Sequence, residues 1–99
     1  MTALQVIAHA PGPAWLHGVG FRDQPGVGAH IETMRSWLDA GRLVMGGPYL
    51  DDGGGGMAVV RFDDLAAAVA AANADPAVQA GLLVATVRPW LVGLSATDE

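Results

Sequence analysis

Residues 51–56 read Asp-Asp-Gly-Gly-Gly-Gly, and no other feature restricts the fold of this chain as strongly. Consecutive glycines carry too much backbone entropy to sit inside a helix, and Asp followed by Gly favours a tight reversal. The flanks are short and apolar: residues 43–45 on one side, interrupted by Gly46-Gly47-Pro48, and residues 57–62 on the other. This pattern predicts a β-hairpin. A glycine run can also cradle phosphate, but here no helix opening with Lys-Ser/Thr follows it.

Helical patterns stand on either side of the hairpin. Over residues 27–40, at about 100° per residue, Val27, Ile31, Met34, Trp37 and Leu38 fall within one arc about 120° wide. Glu32, Arg35, Ser36 and Asp39 lie opposite, and Gly41 supplies a C-terminal stop. His30 lies inside the apolar arc, so it is expected to face the sheet or its edge. After the hairpin, Asp63 and Asp64 precede a second helix over residues 65–73, with Leu65, Val69 and Ala72 at helical spacing. Its alanine interior favours helix and permits close approach to a sheet. Residues 75–81 predict a one-turn helix with Asp75 as N-cap, Pro76 at the first position and Gly81 past the end.

Two further strands complete the pattern. Residues 4–9 form a short apolar run closed by Ala10-Pro11-Gly12-Pro13, and residues 82–90 form the last strand, with residues 91–94 extending it or packing on a partner chain. Residues 11–28, rich in Pro and Gly and carrying Trp15, His17, Phe21 and Arg22, are a long loop, either a mobile lid or a packed cover. The order β-α-β-β-α-β defines an α+β, ferredoxin-like fold with a four-stranded antiparallel sheet. One domain over residues 1–99 is expected, ordered to about residue 94, with residues 95–99 as a fraying tail.

Both helices of such a fold cover the same face of the sheet. Yet the strands carry apolar residues on both alternating sets, for example Met57 and Val59 against Ala58, Val60 and Phe62. The chain is 52% hydrophobic and only 15% charged, so the second face needs a cover, and a second copy of the same sheet would provide one. A net charge of −5 with 5 basic residues argues against nucleic acid and against anionic membrane surfaces. There are no cysteines, hence no disulfide, thiolate ligand or Cys nucleophile. No apolar run reaches the ~18 residues of a membrane span, and the first residues lack the pattern of a secretory signal. A cytoplasmic location is expected.

Several residue groups, each weak alone, are specific in combination. They are His30, then Trp37-Leu38-Asp39-Ala40-Gly41-Arg42-Leu43, then Gly46-Gly47-Pro48, then Asp75-Pro76 with Gly81, and finally Val87-Arg88-Pro89-Trp90. With these residues the chain resembles the YCII-like family of dimeric α/β barrels. The resemblance implies a homodimer whose sheets enclose a barrel-like pocket, and an active site built around His30 and Asp75. A carboxylate that accepts from one imidazole nitrogen fixes the tautomer and leaves the other nitrogen to take or give a proton. The plainer readings are that Asp75 is simply a helix cap and that His30 is a hydrogen-bonded core histidine.

Three functions stay open. The first is a cofactor-free enzyme using His30 and Asp75 for proton transfer, in elimination, isomerisation or hydrolysis of a small organic molecule. The second is a non-catalytic dimeric ligand-binding or accessory protein, and the third is an oxygen-using monooxygenase. Trp37, Tyr49, Trp90 and Phe21 are candidates to line an apolar substrate pocket. Arg88 is a candidate anchor for an anionic group, or a partner for one of the acids. His9, His17 and His30 have no close ligand spacing, so neither a metal nor a cofactor is expected. No G-x-S-x-G motif is present, which argues against an acyl-enzyme route.

Overall fold

A computed structural model describes residues 2–96 of the chain. Strand β1 (Thr2–Pro11) is followed by a 3-10 turn (Phe21–Asp23), helix α1 (Val27–Asp39), strands β2 (Leu43–Pro48) and β3 (Gly56–Val60), helices α2 (Leu65–Ala74) and α3 (Pro76–Gln79), and strand β4 (Leu83–Val92). The strands form one sheet in the order β2-β3-β1-β4, every neighbouring pair antiparallel. This is the expected ferredoxin-like arrangement. Among the described residues, no helix is long and apolar enough to cross a membrane.

The strands run further than local sequence signals predict. β1 and β4 pair from Thr2↔Val92 to Pro11↔Leu83, so residues 91–92 do extend the last strand. β2 continues through Gly46, Gly47 and Pro48 because these residues pair with Ala58, Met57 and Gly56. A side chain at Gly46 would meet the Met34 Cε at 2.9 Å and the Ala58 Cβ at 3.3 Å; glycine leaves room for the end of the Met34 side chain where the strand passes beneath α1. β3 stops at Val60, and Phe62 leaves the strand to pack edge-on against Trp37, ring centroids 5.5 Å apart. The expected tail, residues 95–99, lies outside the described residues from residue 97 onward.

Ile7, Trp37, Ala58, Val60, Ala68 and Ala72 form the main core between the helices and the sheet. Both helices turn slightly differently from their apolar arcs. In α1 the buried residues are Val27, His30 and Trp37, while Ile31 and Leu38 are exposed. In α2, Ala68 and Ala72 are buried and Leu65 and Val69 are exposed. The physical reason is the same in each case: small side chains let α2 approach closely, and a polar contact made by His30 outranks the burial of one more aliphatic group in setting the rotation of α1.

The long loop after β1 is a packed cover. Trp15 joins Val27, Ala77, Leu82 and Leu83 in a second core cluster. Gln24 is buried and staples the segment together, accepting from the Leu16 N–H at 2.9 Å and donating to the carbonyls of Leu16 and Val19 at 2.7 Å each. This staple holds Phe21 and Arg22 in fixed positions beside α1.

Candidate active site

His30 stands in the first turn of α1, and Asp75 is the residue between α2 and α3. Their meeting is built locally from both sides. Gly26, at φ +85°, turns the chain into α1, and Asp75 caps α3 by accepting from the Ala77 N–H through Oδ1 at 2.9 Å. The other carboxylate oxygen, Oδ2, lies 2.5 Å from His30 Nδ1. A carboxylate oxygen only accepts, so Nδ1 carries the hydrogen. His30 is 6% exposed and Asp75 0%, which keeps water from competing for the bond. The capping and pairing readings of Asp75 therefore both hold, one on each oxygen.

His9 on β1 joins them. Its ring stands edge-on to that of His30, centroids 5.0 Å apart at 79°, and Phe21 contacts His30 similarly at 6.1 Å. His9 is 5% exposed, and its Nε2 is buried without a hydrogen-bond partner among the described residues. Burial first, and the neighbouring His30 second, push the His9 imidazole from 6.5 down to about 4, with Asp75 pulling the other way. His9 is thus a neutral ring at physiological pH.

The two histidines form part of the wall of a cleft of about 440 Å³ between α1, the 3-10 turn and the β2–β3 pair. Phe21, Met34 and Leu43 supply apolar lining, Gly46 and Gly56 supply bare backbone, and Arg22 contributes a cationic side chain. Asp75 lies behind His30 and does not line the cleft. A ligand in this space would meet histidine nitrogen and guanidinium on an otherwise greasy surface, the pattern of a site that orients a small, mostly apolar molecule through few polar contacts.

The placement corrects one expectation. His9 shares its pairing rows with Gly56 and Ala85, on the side of β1 that also carries Ile7, part of the core against the helices. The His30–Asp75 pair is therefore on the helix-covered side of the sheet, within one protomer, and not in a chamber between two open sheet faces. A helix residue turned toward the sheet can only meet the face that the helix covers.

The structure brings His30 and Asp75 together but gathers none of the four expected substrate-binding residues into this cleft. Trp37 is buried in the main core. Tyr49 lies just beyond β2 and is half exposed, while Arg88 and Trp90 share rows with Val6 and Leu4 on the open side of the sheet. His9 and Arg22 are the site residues that sequence reasoning missed. Alternation along β1 places His9 on the same side as Ile7, a signal already present in the sequence. Nothing comparable points to Arg22, which sits in the short 3-10 turn of the cover loop.

These features define a class: small α+β proteins with a buried histidine–carboxylate pair at the wall of a mostly apolar cleft. The YCII-related domain matches residues 4–91, and the chain belongs to that family. No curated protein matches it.

Proposed function

We propose that the protein is a small acid–base enzyme in which His30, oriented by Asp75, moves a proton to or from a small organic molecule held in the cleft. The observation that carries this reading is the buried 2.5 Å contact between His30 Nδ1 and Asp75 Oδ2 beside a cleft large enough for a small ligand. With Nδ1 bonded to the carboxylate, the lone pair of Nε2 is the free basic site. Desolvation in an apolar cleft strengthens every electrostatic contact the imidazole makes with a bound molecule. Elimination and isomerisation need only this one group to shuttle a proton; hydrolysis would need a water placed against it as well.

The open side of the sheet supports dimerisation as part of the same proposal. Met45 is 63% exposed and Trp90 45%, and both lie on the side away from the helices, as does Val84 further along β4. A second copy docking sheet to sheet would cover this surface by two-fold symmetry. In this assembly the clefts lie on the outer, helix-covered sides.

Asp75→Asn tests the pair. Asparagine keeps an oxygen for the Ala77 N–H but turns an amide N–H₂ toward His30, so the ring has to present Nδ1 as an acceptor. Side-chain ¹⁵N spectra should show His30 protonated on Nδ1 in the wild type and on Nε2 in the variant. The same tautomer in both proteins would remove the pair.

A further inference from the structure

We infer that His9, His30 and Asp75 form a binding site for a divalent transition-metal ion, a two-histidine, one-carboxylate set behind the wall of the cleft. Each residue offers one ligand atom, and these atoms all lie within 4.8 Å of one another. All three residues are at least nine-tenths buried. Buried nitrogen and oxygen donors converging from β1, α1 and the start of α3 are uncommon without a purpose, because each is costly to desolvate.

Two observations go beyond the cluster. The first is His9 Nε2, a buried ring nitrogen with no partner among the described residues. A native fold rarely leaves such an atom unsatisfied, and an ion is one group that satisfies it. The second is the mutual arrangement of the rings. With metal–nitrogen bonds of ~2.0–2.1 Å, each imidazole centroid lies about 3.2 Å from a shared ion. For two ring nitrogens aimed at one ion, a centroid separation of 5.0 Å, that of His9 and His30, gives an angle of roughly 100° at the ion, between the octahedral and tetrahedral values.

In the metal-free protein a hydrogen sits between His30 Nδ1 and Asp75 Oδ2. The ion takes that place: His30 binds through Nδ1 as the Nε2–H tautomer, Asp75 binds through Oδ2, and Oδ1 keeps its bond to Ala77. Ligand atoms on one ion stand about 3 Å apart, so the present 2.5 Å contact opens by a few tenths of an ångström and the wider separations, now within 4.8 Å, close as the His9 ring moves in. His9 supplies the third ligand. Water completes the remaining coordination positions. Two imidazoles with one carboxylate suit zinc, cobalt or iron(II), and a single carboxylate is too few for calcium or magnesium.

Occupancy of this site and proton transfer by His30 exclude each other, because the ion holds the nitrogen that Asp75 otherwise orients. The two readings therefore fail separately: loss of metal binding leaves the His30–Asp75 pair intact, and the ¹⁵N tautomer experiment reads the pair without metal.

The test uses chelator-treated, dialysed protein titrated with Co²⁺ alone and with Zn²⁺ alone. Visible ligand-field bands should saturate at one Co²⁺ per chain and disappear on adding Zn²⁺. They should be absent from His9→Phe, checked for folding by circular dichroism. Should that variant fail to fold, Zn²⁺ titration of the wild type followed by histidine side-chain ¹⁵N spectra decides: His9 and His30 shift together while His17 stays fixed. Failure to retain either ion at micromolar concentration, equal binding by folded His9→Phe, or shifts confined to His17 would each overturn the site.

Discussion

His30 and Asp75, separated by 45 residues in the chain, meet through a single buried bond from Nδ1 to Oδ2, and that bond joins the first turn of α1 to the cap of α3. One carboxylate thus performs two tasks, ending the break between α2 and α3 and fixing an imidazole. Removing it should affect both stability and chemistry, while a substitution that preserves the cap should affect chemistry with a smaller loss of stability.

Asp75→Ala should destabilise the fold by about 2–4 kcal/mol, the sum of a lost N-cap and an unpaired buried imidazole. Asp75→Asn should recover much of the capping part. Urea denaturation of the two variants measures the difference, and equal losses would show that the cap contributes nothing.

Stability should fall as the pH is lowered from 6.5 to about 4. The folded-state pKa of His9 is lowered to about 4 from its ordinary 6.5, so in this window the unfolded chain takes up a proton that the native protein refuses. The contribution is fully present above pH 6.5, shrinks through the window and levels off below about 4. The shift is equivalent to roughly 3 kcal/mol. Denaturation midpoints of metal-free wild type and His9→Phe across this range should show the slope flattening in the variant.

Gly55 has φ +72°, and a Cβ built there would lie 2.1 Å from the carbonyl oxygen of His9. That neighbour is backbone and cannot swing away. Gly55→Ala should cost about 2 kcal/mol or more and push β3 away from His9, which thermal unfolding together with the His9 ring resonances would report.

Gln24→Ala removes three hydrogen bonds that hold the cover loop. At about 1 kcal/mol each, the loss should show as faster amide exchange across residues 14–26 with little change in the central strands. Unchanged exchange in the loop would mean that Trp15 packing alone holds it.

Met45→Lys places a charge on the open side of the sheet. If two copies meet there, burying this ammonium is costly, and sedimentation should change from dimer to monomer with the fold retained. A wild-type monomer at micromolar concentration would sink the sheet-to-sheet assembly.

The order of strands and helices was determined by the sequence alone. The glycine run forced a reversal, Asp64 and Asp75 marked helix starts, and period-2 and period-3.6 patterns assigned the segments between them, all properties of neighbours within a few residues. His30 and Asp75 were also legible, through motif context. The apolar arc of α1 and the alternation along β1 already turned His30 and His9 toward the helix-covered side; tertiary structure alone decided that His9 meets the pair and that Arg22 replaces Arg88 as the cation at the cleft. Those outcomes depend on how α1 rotates on the sheet and how a loop folds over its end. Such choices are settled by packing and buried polar contacts between residues far apart in the chain, and local periodicity carries no record of them.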